Sequence, residues 1–480
     1  MPEMKRREFV RTMTAAGSGL MLSARGSLWA DGERLDAAQP DVPKMRAVMP
    51  DPQVRRVLVM FKCHFDAGFI DTQANVVQKY FAEYFPRAIE IARAANAGGK
   101  RRYVWTTGSW LLYEYLEQAS PAARKTMEQA IARGDIAWHA LPFTWQTEML
   151  DQSMIEGSIG LSHELDRRFG LITTGAKMTD VPGHTRGLIA PLVKQGIGFL
   201  EIGVNSGSTV AKVPPVFLWK SPSGAGLPVM YHWDYGATAR VPGSDLALVT
   251  SVRGDNAGPH TEQEIAGIHS QLAEQFPKAQ IKACSLSEMA QAIAPYRDKL
   301  PVVTEEIGDT WIYGVASDPL KVARYREIAR LRQQWIGEHK FKAGDSTDLA
   351  LLRRLLLEPE HTWGTDTKTW LDFDNYEPRD LEKMLDTKNY KVVQFSWQEK
   401  RQDLLDAVSV LPGALRAEAQ KAIASLKPTA PAIKGDALAA SQTVDTPHYI
   451  LDSTARLARS PGCATRKSAG NGPATPTRSR

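Results

Sequence analysis

His64-Phe65-Asp66 closes the apolar run Val57-Leu58-Val59-Met60-Phe61. The run reads as a buried parallel strand, along which side chains alternate faces, so His64 and Asp66 project the same way. In α/β proteins chemistry collects at the carboxyl ends of strands. An imidazole and a carboxylate two residues apart there make half of a site for a divalent cation such as zinc. Asp180, in Met178-Thr179-Asp180-Val181-Pro182-Gly183-His184, ends another strand-like segment and precedes a glycine turn. Gly308-Asp309-Thr310-Trp311 and Glu360-His361-Thr362-Trp363-Gly364-Thr365 add acidic, imidazole and indole groups further along the chain. A histidine or aspartate at a strand end also serves commonly as a cap, so each alone says little. Cys63 adjoins His64 but faces the other side of its strand and reads as packing. The three cysteines, Cys63, Cys284 and Cys463, form no Cys-x-x-Cys and suggest no disulfide framework.

These groups have to be carried by a scaffold that brings distant segments together. From residue 54 strand-like and helix-like segments alternate. Strands are expected at 57–62, 103–106, 136–143, 176–179, 199–204, 229–233, 246–251 and 280–284. Helices are expected at 73–97, 109–118, after Pro121, and at 152–169, 187–195 and 261–276. Another opens at Ser285-x-x-Glu288, a capping-box spacing. Repeated β-α units predict a parallel sheet closed or nearly closed into a barrel, distorted where residues 214–236 lose regularity. After Asp318-Pro319 only helical periodicity remains, at 320–338, 346–357, 377–385, 390–410 and 413–426, which predicts a bundle. The domains read as 1–30 signal segment, 31–53 linker, 54–318 barrel, 319–428 bundle, and 429–480 the start of a β domain with a disordered tail.

The chain has 480 residues, 43% hydrophobic and 24% charged, with a formal net charge of +5. That is ordinary globular material with room for two or three domains. The basic residues are dispersed, which argues against a nucleic-acid face. Lys5-Arg6-Arg7-Glu8-Phe9 is a twin-arginine pattern, followed by a weakly apolar stretch at 13–24 and a small residue, Ala30, at a plausible cleavage point. The stretch is too short and polar to span a membrane. Export through the twin-arginine machinery to the periplasm or medium is therefore expected.

The four blocks, in this order, resemble the family-38 glycoside hydrolases, the retaining α-mannosidases. That family has a His-x-Asp start, an Asp-Pro-Phe-Gly-His block, a Gly-Asp-Phe-Phe block and a His-Asp-Ala-x-x-Gly-Thr block within a bundle. The nearer resemblance is to bacterial family 5054 of the domains of unknown function, over about residues 55–428. The resemblance implies a seven-stranded type of β/α barrel, a helical bundle, and a β-sandwich that here looks truncated. It implies His64, Asp66, Asp180 and His361 as ligands of one Zn2+, with Asp180 doubling as the nucleophile. Asp255, in Arg253-Gly254-Asp255-Asn256, matches where the family carries its general acid/base, with Asp234 as the competitor. Trp145, Asp234, Asp309 and Trp311 are the expected carbohydrate contacts, and His184 and His232 stand as neighbours of the ligands. Val-Pro-Gly after Asp180 and Thr-Trp after Asp309 depart from the family blocks and imply a different substrate pocket.

The activity implied is an exported, zinc-dependent, retaining glycoside hydrolase acting on α-linked sugars. Two other readings share the same residues: a non-catalytic carbohydrate-binding remnant of such an enzyme, and a metal-dependent carbohydrate deacetylase.

Overall fold

The computed structural model describes residues 50–181, 184–308, 318–371, 377–427, 429, 443–445, 449–452 and 462–465. The expected signal segment and most of the linker, together with Asp309 and Trp311, lie outside the described residues.

The first sheet is organised around β1 (Arg56–Cys63). Strand β9 (Leu246–Arg253) runs parallel to it along its whole length. The other edge is shared by β10 (Gln280–Ala283), against the first half, and β2 (Trp105–Gly108), against the second. Strand β3 (Ile136–His139) lies parallel beyond β2, and β8 (Ala237–Arg240) antiparallel beyond β9. In the second sheet β4 (Gly175–Asp180), β5 (Phe199–Val204) and β7 (Gly226–Trp233) are parallel. There β6 (Val216–Lys220) pairs antiparallel with β7, and β11 (Val302–Val303) continues from β6.

Strand pairing thus gives two sheets, where the sequence suggests a barrel. One backbone bond, Ala140 N–H to Gly175 O at 2.9 Å, links the neighbourhoods of β3 and β4. Two hairpins account for the difference. β8 takes the outer edge of β9 and β6 that of β7, where continuation of a parallel barrel needs a parallel neighbour. β6 lies in the irregular stretch 214–236 and β8 just beyond it, and a short turn connection leaves no helix to mark either.

Helices cover the sheets where their caps and apolar stripes dictate. Gln152–Phe169 starts at Asp151, whose side chain accepts from Met154 N, and stops at left-handed Gly170. Glu262–Gln275 and Leu286–Ile293 both open on capping boxes, Thr261/Glu264 and Ser285/Glu288. The helices Pro319–Gly337, Ser346–Leu355, Lys388–Ser409 and Gly413–Ser425 follow. They join the strand-rich part in a single compact unit running to Ser425. A buried bidentate pair fastens them: the Arg332 guanidinium donates to both Asp348 oxygens at 2.6 and 2.8 Å and to Ser153 Oγ at 2.8 Å.

The second unit, from Leu426, contains an antiparallel three-stranded sheet of Thr443–Asp445, Tyr449–Asp452 and Gly462–Thr465. The expectation of a wholly disordered tail fails at Gly462–Thr465. Backbone pairing with Tyr449–Asp452 gives those residues partners that their Gly- and Ser-rich surroundings do not advertise.

Candidate metal and catalytic centre

Parallel strands deliver their loops to one end, and there the first pair of candidate ligands, His64 and Asp66, stands. The β1–β9 pairing continues past the strands, with His64 N–H donating to Arg253 O at 2.9 Å and Asn256 N–H to His64 O at 3.0 Å. Asn256 clamps the loop. Its Oδ1 accepts from Asp66 N and its Nδ2 donates to Asp66 O and Gly68 O, at 3.0–3.2 Å. A π-helical turn at Tyr80–Tyr84 supports the base through the hydroxyls of its first and last residues. The Tyr84 hydroxyl donates to Asn256 O at 2.9 Å, and that of Tyr80 lies 3.3 Å from His64 O.

Asp180 ends β4 with φ at 81°, a left-handed conformation that costs a non-glycine residue energy. Phe69, Asp234 and Asn256 share that sign of φ, as does His339 after the helix Pro319–Gly337. Two donors hold Asp180 Oδ1, Asn205 Nδ2 and the Tyr235 hydroxyl, each at 2.6 Å.

His361 comes from the loop after Ser346–Leu355. That loop is laced to the strand ends by backbone bonds: Gln146 N–H to Pro359 O at 2.7 Å, His361 N–H to Thr144 O at 3.2 Å, Phe69 N–H to Gly364 O at 3.0 Å and Asp366 N–H to Phe69 O at 2.7 Å. Gly364 has φ at 132° and sits where a Cβ would lie 2.7 Å from Ser396 Oγ, so only glycine fits.

The result is a tight set of nitrogen and oxygen atoms. His64 Nε2 lies 3.0 Å from Asp66 Oδ1 and 3.1 Å from His361 Nε2. His361 Nε2 lies 2.8 Å from Asp66 Oδ1 and 3.3 Å from Asp180 Oδ2. The four side chains are 1–12% exposed. Hydrogen bonding alone does not satisfy the group. Two imidazole Nε2 atoms face each other across a single carboxylate oxygen, while Asp66 Oδ2 is buried without a partner. A tetrahedron of nitrogen and oxygen ligands about 2.1 Å from zinc has edges of roughly 3.4 Å, close to these separations. His64, Asp66 and His361 therefore form a group able to hold a metal ion, and Asp180 Oδ2 stands beside it as a fourth donor atom, the second oxygen.

The charges agree. Burial would raise the Asp66 and Asp180 carboxyls, but the neighbouring imidazoles outweigh it and hold both below the usual carboxylate range. His361 is pulled down by burial and pushed up more strongly by Glu360, Asp180 and Asp66, ending well above an ordinary histidine. Asp255, half-buried in the loop after β9, goes the other way: burial, then the Asp66 and Asp180 charges, raise its carboxyl. A carboxyl pushed below its usual range and another pushed above it are the opposite shifts that suit a nucleophile and a general acid.

Other expected residues are placed differently. Asp234 accepts from Tyr235 N–H at 2.7 Å, a turn-forming role. Trp145 is wholly buried in the core with Leu141, Ile155 and Ile159, so it presents no face to a sugar. An isolated antiparallel backbone bridge joins it to Glu360, the residue before His361. Trp233 is the exposed indole nearby, 54% accessible, with Nε1–H donating to Ser206 O at 2.9 Å. His184 is buried and held to about 4 by burial, and His232 bonds Glu201 at 2.6 Å, away from the ligand atoms. Asn205, Tyr235, Asn256 and Glu360 were not singled out from sequence. Asn205 had a signal, a polar residue just past the apolar strand 199–204.

Residues 315–459 match the family described as Domain of unknown function (DUF5054), a segment that includes His361. No curated protein matches the chain. Among solved structures the chain is similar to an α-mannosidase from Enterococcus faecalis V583, with 11% identity and a TM-score of 0.52 over 77% of this chain and 43% of that one. A protein in glycosyl hydrolase family 38 from Enterococcus faecalis matches with 11% identity and a TM-score of 0.46, over 75% and 41%. A 4-α-glucanotransferase from Thermococcus litoralis matches with 13% identity and a TM-score of 0.38, over 83% and 64%. The chain spans less than half the length of the Enterococcus structures it matches.

Proposed function

For a chain that carries a DUF5054 segment and shares its fold with an α-mannosidase, we propose metal-dependent, retaining hydrolysis of α-linked sugars, with mannosides the first substrates to test. The observation that carries this reading is the convergence of His64, Asp66, Asp180 and His361, with Asp255 alongside. The donor set suits Zn2+, which the His64 and His361 imidazoles with Asp66 and Asp180 would hold. A bound zinc ion supplies Lewis acidity, attracting sugar hydroxyls and keeping adjacent carboxylates ionised.

The chain's own groups do the rest. Asn205 and Tyr235 fix the plane of the Asp180 carboxylate, which attacks the anomeric carbon. Asp255 donates its proton to the departing glycosidic oxygen, then takes one from the water that hydrolyses the glycosyl ester. Tyr235 is kept protonated by burial and by Asp180, so it serves as a donor throughout. Trp233 offers the exposed ring face against which a sugar can stack. The nearly closed barrel and the export of the chain through its twin-arginine segment, Lys5-Arg6-Arg7, belong to the same proposal.

The test is the purified, zinc-loaded chain on aryl α-mannosides and related α-glycosides, with mass spectrometry after a 2-fluoro sugar. Turnover with retained anomeric configuration and a glycosyl adduct on Asp180 is expected, and D180N should lose both. Binding without turnover or adduct points to the carbohydrate-binding reading instead, and acetate release without glycosidic cleavage to the deacetylase reading.

A further inference from the structure

Behind His361 a second layer of charge leads away from the ligand atoms into the helical part. His361 Nδ1, the ring nitrogen turned away from the ligand set, lies 2.8 Å from Glu360 Oε1. Its other neighbour is Thr144 O at a longer 3.3 Å. Glu360 is fully buried, and it is itself held. Thr362 N–H donates to its Oε2 at 3.0 Å, and the Thr362 hydroxyl lies 3.0 Å from Oε1 and 3.3 Å from Asp66 Oδ1. Lys400, a buried cation from the middle of Lys388–Ser409, reaches the same place. Its ammonium donates to Ala67 O at 2.5 Å and Gln73 Oε1 at 2.8 Å, and stands 3.5 Å from Glu360 Oε2. Ala67 is the residue after Asp66. One ammonium therefore touches the backbone beside one ligand and the carboxylate behind another.

We infer that Glu360 and Lys400 are positioning residues of the metal centre, coupling the helix Lys388–Ser409 to the ligand atoms. This inference rests on the reading of His64, Asp66, Asp180 and His361 as metal ligands. A neutral imidazole carries its proton on one nitrogen, and a carboxylate at Nδ1 keeps it there, leaving the Nε2 lone pair facing the cation. Glu360 fixes that tautomer and the ring's rotation together. Lys400 keeps the carboxylate from being a lone buried anion, and through Ala67 it holds the Asp66 loop at the same distance from the helix. The helix is thus part of the site without supplying a ligand. Sequence reading gave Glu360 no part because it precedes the histidine directly, and a side-chain contact between adjacent residues needs a particular turn of the chain.

Zinc affinity of the whole chain, measured by competition with a chromophoric chelator, tests this, with the d–d spectrum of the cobalt(II)-loaded form as a second readout. E360Q should bind zinc 10–100-fold more weakly than wild type and shift the cobalt bands. E360D, which keeps the charge but draws it back by one methylene, should fall between the two and keeps the test alive if E360Q does not fold. K400M should weaken binding in the same direction. E358Q is the control: Glu358 is equally buried two residues away and pairs with Lys321 rather than His361, and its affinity should stay within about twofold of wild type. E360Q and E360D binding zinc as tightly as wild type, with unchanged cobalt bands, overturns the inference and leaves the metal reading standing. A wild-type chain that takes up no zinc removes the metal reading itself, and this inference with it.

Discussion

Replacing His361 with alanine separates the metal's contribution from that of the fold. In the metal-free protein His361 stands within 2.8 Å of Asp66 and Glu360 and 3.3 Å of Asp180. Removing it leaves three buried carboxylates short of a partner, which costs about 3–5 kcal/mol. In the loaded protein one of four ligands is lost. Structural zinc sites contribute roughly 10–16 kcal/mol over four ligands, so one ligand accounts for about 3 kcal/mol, or roughly 100–200-fold in Kd at 1.36 kcal/mol per decade. At free zinc about 1,000 times the wild-type Kd, binding stabilises the native chain by about 4.1 kcal/mol. The same zinc should stabilise H361A by only about 1 kcal/mol. Urea unfolding with zinc and with EDTA reads both quantities on both proteins. Equal stabilisation of H361A and wild type by zinc would refute the argument, because it would place the metal elsewhere.

Three further outcomes are expected. Asp255 has to be protonated to act, and its carboxyl is raised by burial and by the Asp66 and Asp180 charges; kcat/KM should fall as pH rises through that pKa, and D255N should flatten this alkaline limb while sparing substrates with good leaving groups. Asp403, buried beneath the helices, is pushed up to about 7 by burial. A carboxyl raised in the folded state favours folding below its unfolded pKa near 4, and that contribution is lost as pH climbs to about 7. Urea stability should therefore drop by a few kcal/mol across that window, on the order of 1.36 per unit, and D403N should remove the slope. R332M leaves Asp348 buried and unpaired where it had a bidentate partner, so a loss of about 3–5 kcal/mol in urea stability is expected; a loss below 1 kcal/mol would contradict the packing described.

Much of the scaffold was legible. The helices at 109–118 and 152–169 and the strand at 199–204 have the bounds their periodicity predicts. Long apolar stripes bounded by caps carry their own signal within a dozen residues. The hairpin strands Val216–Lys220 and Ala237–Arg240 were not legible, because antiparallel pairing depends on a neighbour's register rather than on local pattern. The indoles divide for a similar reason. Trp145 and Trp233 flank similar polar blocks, yet one is packed into an apolar core and the other is open. Composition cannot tell them apart, since burial is decided by what crosses overhead.

The sequence by itself determined which groups were chemically able to act. His64 and Asp66 share a face because strand side chains alternate, and Asp180 closes an extended segment just before the strand-breaking sequence Val181-Pro182-Gly183. Those are consequences of bonds within a few residues. Tertiary structure alone decided that His361 closes on them from nearly three hundred residues away, that Tyr235 and Asn205 grip Asp180 by one oxygen, and that Asp255 feels the Asp66 and Asp180 carboxylates. Electrostatic and hydrogen-bond energies fall away over a few ångströms, so they depend on distances that only packing sets.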